Sequence, residues 1–193
     1  MITTKSARIV RDLDLLEPMA RRGLAAVMMS VTTLDPETAR RMEPRASTPR
    51  QRIAAIRRLA EAGVPTAISV SPVVPAITDH EVEAIIRAGA EAGALTAFSL
   101  MVRLPHEVAP LFRDWLAAHY PDRAARVMAL IREMRGGRDN DPNFFDRFRP
   151  RGAYAAAIQA RVKLACRKYG LNQQKVALRT DLFRVPTSQP SLF

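Results

Sequence analysis

Four residues stand where apolar runs give way to loops and could act together on one ligand: Lys5, Ser30, Ser71 and Arg103. Lys5 closes a short opening segment, and Ser30 follows the apolar run Leu24–Met29, with Thr32 and Thr33 just beyond it. Ser71-Pro72 follows Thr66–Val70, and Arg103 follows the run Leu95–Val102, which carries Ser99. In parallel barrels and open parallel sheets, ligands collect at such strand ends, because the loops there vary over a fixed scaffold. A lysine, several hydroxyls and an arginine on one rim suit a zwitterionic or phosphorylated small ligand. The hydroxyls alone are more simply explained as caps of the helices that follow. In the loop Glu43-Pro44-Arg45, Arg45 can pair with Glu43 or grip a ligand carboxylate.

A second group lies in the loop from Arg135 to Arg151, which is polar, basic and aromatic together. Arg138, Arg147, Arg149 and Arg151 suit phosphate, and Phe144, Phe145 and Phe148 either stack on bases or seal a core edge. Other chemistries lack their parts. His80, His106 and His119 are too scattered for a metal cage and are expected in solvent. Asp79 and Glu81 are explained as negative charges at a helix start, and Cys166 as a small core residue. No Ser-His-Asp set and no glycine-rich phosphate loop can be assembled.

The elements that must hold these residues are legible from period and punctuation. Leu13, Leu15, Leu16 and Met19 give residues 10–22 a helical stripe, stopped by Gly23. The run Leu24–Met29 has the continuous apolar character of a parallel strand buried on both faces. Asp35-Pro36 starts a short helix, and Thr48-Pro49-Arg50-Gln51 starts a longer one as a capping box. Ile53, Ile56, Leu59 and Ala60 form the apolar stripe of that longer helix, with Arg50, Arg57, Arg58 and Glu61 outward. Thr66–Val70 is then a strand; Thr78 with Glu81 has the spacing of another capping box, and Val82, Ile85, Ile86 and Gly89 line the inner face of the helix it opens. Ala60-Glu61-Ala62-Gly63 recurs as Ala90-Glu91-Ala92-Gly93, each leading into an apolar strand. After Pro105 the pattern turns helical over 106–118, 123–135 and 153–169, and the tail 172–193 has no period and is expected to be extended and mobile.

The chain has 193 residues, 48% of them hydrophobic, enough for one core. Its net charge is +11, and 26 of its 30 basic residues are arginines. Such a field suits a polyanion such as DNA, although abundant Arg, Ala and Pro also mark proteins coded by GC-rich DNA. There is no long apolar run and no signal-peptide centre, so a cytoplasmic protein with no membrane contact is expected. The single cysteine removes any multi-cysteine metal site made by this chain alone.

From TTKS and RDLDLL through SVTTLD, EPRASTPRQRIAAIRRLAEAGVP and SPVVPAITDHE to RLPHEVAPLFRDWL, the sequence resembles the later part of radical S-adenosylmethionine (SAM) proteins of the spore photoproduct lyase-like, or DNA repair photolyase, group. The resemblance implies an α/β fold: the second half of a partial parallel (βα) barrel over 1–105, a C-terminal helical region over 106–171, and a flexible tail over 172–193. It implies that Lys5 and Ser30 hold the methionine carboxylate of SAM, and that Ser71 and Arg103 line the cofactor or substrate pocket. The family builds its radical with a 4Fe-4S cluster on three cysteines, and this chain lacks that cysteine loop. It is therefore expected to be inactive alone, whether Met1 is a mis-assigned start, one half of a split gene or a true truncation. Its expected work is DNA repair, with Arg138, Arg147, Arg149 and Arg151 on nucleic acid, and its expected partners are a missing N-terminal half or further copies of itself. Gln189-Pro190-Ser191-Leu192-Phe193 resembles the pentapeptide that docks bacterial repair and replication proteins on the polymerase sliding clamp, with Gln189, Leu192 and Phe193 as the anchors. The alternative is a non-catalytic nucleic-acid or sliding-clamp interaction module.

Overall fold

A computed structural model describes residues 1–182. Four parallel strands, β1 (Ile2–Thr4), β2 (Val27–Ser30), β3 (Thr66–Val73) and β4 (Thr96–Met101), lie side by side in chain order. Ile2 pairs with Val27, Ser30 with Ser69, and Val70 with Ser99, so every strand delivers its C-terminal end to the same edge. An order without reversal has no switch point between strands. It is the order in which a (βα) barrel lays down its strands, although among the described residues these four form an open sheet.

Helices α1 (Leu13–Arg21), α3 (Pro49–Glu61) and α4 (Val82–Glu91) make the connections, joined by α2 (Pro36–Met42) in the loop after β2. Right-handed crossovers running one way place such helices on a single face. Met29, Ile68 and Val70 accordingly share a buried core with Ile56, Ile85 and Ile86, while Val27 and Leu59 join Leu16 in a smaller one. On the opposite face, set by the register of Ser30, Ser69 and Phe98, β3 carries the small residues Ala67 and Ser69 beside Ser30 of β2. At β4 that face leaves Phe98 46% and Leu100 42% exposed.

The local signals of α3 are realised as expected. Thr48 Oγ1 accepts from Gln51 N while Gln51 Oε1 accepts from Thr48 N. The second expected capping box does not form. Thr78 Oγ1 accepts from Val74 N, and Glu81 turns away to accept from Leu34 N at 2.7 Å and from the Thr33 hydroxyl, pinning the loop after β2. A pairing between segments 47 residues apart has displaced one of three. The helix expected over residues 10–22 begins as a 3-10 turn over Ala7–Asp12 and buries only Leu16, leaving Leu15 exposed.

The repeated tetrapeptides meet each other. Gly93, at φ +92°, sits so close to Ala60 that an added Cβ would lie 2.7 Å from the alanine methyl. Within α4, a Cβ at Gly89 would come 2.6 Å from Ile68 Cγ2 and 2.7 Å from Cδ1, both on the strand beneath. Gly89→Ala, which in a free helix gains about 1 kcal/mol, is expected here to destabilise by about 1–2 kcal/mol net through overpacking. Urea unfolding checks the sign.

Beyond β4, α5 (Val108–His119), α6 (Pro121–Met134) and α7 (Gly152–Lys168) extend the core through Leu116, Val127, Ile131, Ala155 and Ile158. Arg161 forks onto Glu83 at 2.6 and 2.5 Å, and the Tyr154 hydroxyl donates to Asp79 at 2.7 Å, fixing α7 to the start of α4. Burial and then the Asp79 bond push the Tyr154 phenol well above its ordinary range. The first part of the tail is attached: Asn172 grips both N–H and C=O of Ala97 on β4, and Arg179 N donates to Gly23 O. Among the described residues, no helix is long and apolar enough to cross a membrane.

Candidate functional site

The C-terminal edge of the sheet carries a charged network centred on Glu43. After α2 the chain turns at Pro44, with Glu43 N bonded to Ala39 O and Ala46 N to Glu43 O. The turn is zipped to the segment after β1: Ser47 N donates to Lys5 O, and Ala7 N to Ser47 Oγ at 2.8 Å. These bonds bring the Glu43 carboxylate between two cations. Lys5 Nζ donates to Oε1, and Arg52, in the first turns of α3, donates to Oε2 at 2.6 Å. Arg52 also reaches Ser30 O at 3.0 Å and Ser47 O at 2.7 Å, so its fork is filled by two carbonyls and a carboxylate. The Thr32 hydroxyl lies within hydrogen-bond distance of Glu43 Oε1 (2.9 Å) and Ser71 O (3.0 Å), tying β2 and β3 to the same point.

Arg52 is 1% exposed, a depth at which a cation persists only with full partners. Burial works to raise the Glu43 carboxyl, but the Lys5 and Arg52 contacts outweigh it and hold the group below the usual carboxylate range. Lys5 is the open side of the network, its side chain 38% exposed against 12% for Glu43. A cleft of about 250 Å³ between α2 and the start of α3 runs up to Glu43, lined by Ala39, Arg40, Pro44 and Ser47.

The structure thus brings Lys5, Ser30 and Ser71 together, Ser30 and Ser71 through their carbonyls, and adds Glu43, Arg52 and Thr32 to them. Arg45 is exposed, and Glu43 takes Arg52 and Lys5 rather than its sequence neighbour. Arg103 belongs to a different group at the same edge. Its guanidinium lies 4.6 Å from the Phe148 ring centroid, and its neighbours are Arg135 and Arg147. Arg138, Arg149 and Arg151 line a neighbouring cleft of about 200 Å³ with Arg135 and Asp141, and Arg151 pairs with Asp146 at 3.1 Å. Gln189, Leu192 and Phe193 lie outside the described residues.

His80, His106 and His119 are exposed, and among the described residues no group of His, Cys, Asp and Glu could hold a metal ion. Cys166 is buried on α7, and burial pushes its thiol up.

Comparison with known proteins bears on the half of the molecule that holds the Glu43 network. Residues 1–89 match the radical SAM superfamily. An uncharacterized protein of Mycobacterium tuberculosis is 33% identical over 135 residues, which cover 68% of this chain and 39% of that protein; one of Mycobacterium bovis matches to the same extent. An uncharacterized protein of the Acidianus two-tailed virus is 32% identical over 75 residues, 39% of this chain and 24% of its own length. The chain therefore spans less than half the length of the mycobacterial relatives.

Proposed function

We propose that this chain is the later part of a radical SAM iron-sulfur enzyme, of the spore photoproduct lyase-like kind and working on nucleic acid in repair, whose cofactor cradle is the Glu43 network. The observation that carries it is an opposed pair of charges at the mouth of the sheet, inside the segment that matches the superfamily. S-adenosylmethionine presents a carboxylate beside an ammonium. Lys5 offers the cation for one and Glu43 the anion for the other, with Ser30 and Ser71 on the adjoining strand ends. Arg52 holds and orients Glu43 from behind, so that the carboxylate keeps one cation when Lys5 turns to a ligand carboxylate.

The cofactor supplies the radical chemistry when bound to reduced cluster iron. The residues here do not fit the cluster itself: three thiolates are needed, and the one thiol of the sequence is buried on α7. These 193 residues are assigned to binding, orientation and substrate contact. A recruiting module without chemistry is the rival class, favoured by the basic charge alone.

Isothermal titration separates the two. S-adenosylmethionine is expected to bind the wild-type protein, and Lys5→Ala to weaken that binding about tenfold, the worth of one charge-assisted contact. No heat with the wild type, or equal affinity for Lys5→Ala, overturns the assignment.

A further inference from the structure

We propose that Arg103, Arg135 and Arg147, with Phe144 and Phe148, form a built site for one phosphate and an adjoining base of a single-stranded nucleic acid. This deepens the nucleic-acid part of the function proposed above and rests on it. Arg135 closes α6 and is 6% exposed, with Nη1 donating to Arg147 O at 2.8 Å and Nη2 to Val102 O at 3.3 Å. Arg103 lies over the Phe148 ring at 4.6 Å, and Arg147 over the same ring at 5.0 Å and over Phe144 at 4.4 Å. All three Nε atoms are buried and have no hydrogen-bond partner among the described residues.

Charge makes the arrangement costly as it stands. None of the three arginines hydrogen-bonds a carboxylate among the described residues, and the acids nearby are engaged elsewhere. Asp139 serves Arg113 and Arg132, Asp146 serves Arg151, and Asp141 accepts from Asn143 N. Burial first, and Arg103 second, disfavour the charged form of Arg135, with Asp141 only partly opposing them. Stacking on phenylalanine contributes about 0.5–1 kcal/mol per arginine, too little to explain three gathered cations with orphaned donors. A phosphate would answer the charge deficit, since it is an anion whose acceptor oxygens match the guanidinium fork.

The rings argue for a base beside it. Phe144 is 65% and Phe145 76% exposed, an apolar surface with no core to seal. Rings on a basic loop hold unstacked bases, whereas bases inside a duplex cannot reach them. Arg138, Arg149 and Arg151, along the next cleft, would continue the backbone track. Because Arg103 follows β4 and Arg135 bonds Val102 O, a strand held here lies at the sheet edge that also carries Lys5 and Glu43.

The test is fluorescence anisotropy with a short labelled oligothymidylate at several salt concentrations. Arg147→Ala and Phe144→Ala are the probes; Arg57→Ala and Arg58→Ala, on the exposed face of α3, control for charge alone. Arg147→Ala is expected to weaken binding about tenfold and to lower the slope of log affinity against log salt by about 0.7. Phe144→Ala is expected to weaken it about tenfold with the slope kept. Either control matching Arg147→Ala would mean a diffuse field and would overturn the site, as would wild-type binding by both probe variants. No oligothymidylate binding by the wild type would overturn the nucleic-acid part of the function as well, leaving the cofactor assignment to the titration.

Discussion

Glu43→Ala is expected to cost about 3 kcal/mol of folding stability, the loss seen when one partner of a buried pair is removed. The cost comes mainly from what is left behind. Arg52, its side chain 2% exposed, would keep two carbonyl partners and lose its only counter-charge among the described residues, while Lys5 can turn to water. Denaturant unfolding of Glu43→Ala, Arg52→Met and the double variant gives the coupling. The double variant is expected to be more stable than the sum of the single losses predicts, because the apolar methionine needs no partner. Additive losses would show that the pair is not a unit. The pH dependence has a definite sign. Because the folded carboxyl lies below its ordinary value, its contribution is complete above about pH 4.3 and is lost as pH falls through the folded value. Wild type should lose stability across that acid range more steeply than Glu43→Gln.

The second large effect is expected at the one tryptophan of the sequence. Trp115 on α5 stacks on Phe112 at 5.6 Å, leans on Tyr120 at 5.3 Å, and donates its indole N–H to Arg41 O at 3.0 Å. Thr38 and Tyr120 share a hydroxyl bond at 3.0 Å beside it. These contacts clamp α2 to the C-terminal helices two residues before Glu43. Trp115→Ala should therefore destabilise by about 3 kcal/mol. It should also weaken S-adenosylmethionine binding about fivefold, although the indole touches none of Lys5, Ser30 or Ser71. Trp115→Phe keeps most ring contacts and loses the indole bond, at about 1 kcal/mol. Unchanged ligand affinity in a destabilised Trp115→Ala would show that α2 holds Glu43 without the clamp.

The alternation of strands and helices was legible because its signals are local. Thr48 and Gln51 close a box within one turn, and Gly63 and Gly93 stop helices at positive φ. The centre of the site was not legible, because its signals are distant in the chain. Arg52 sits among Arg50, Arg57 and Arg58, which face water as their pattern says, and nothing in its own turn marks it as buried. Its partners are the carbonyl of Ser30, 22 residues away, and an acid whose sequence neighbour Arg45 offered a nearer pairing. An acid between prolines and helices, ahead of an arginine on the next first turn, is the only trace that could have suggested it. Glu81 failed the other way. Its spacing from Thr78 named a local partner, and the loop after β2 offered better ones. Arg103 was correctly placed at a strand end, but its company of Phe148 and Arg135 comes from a loop that sequence periods leave undefined.

The side-chain amide of Asn172 occupies, on β4, the donor and acceptor that an incoming strand would require. Growth of the sheet is thereby made directional. A strand brought by any other segment or molecule meets a donor and acceptor already engaged at Ala97, which favours addition beside β1, with the Lys5 end of the mouth at the join.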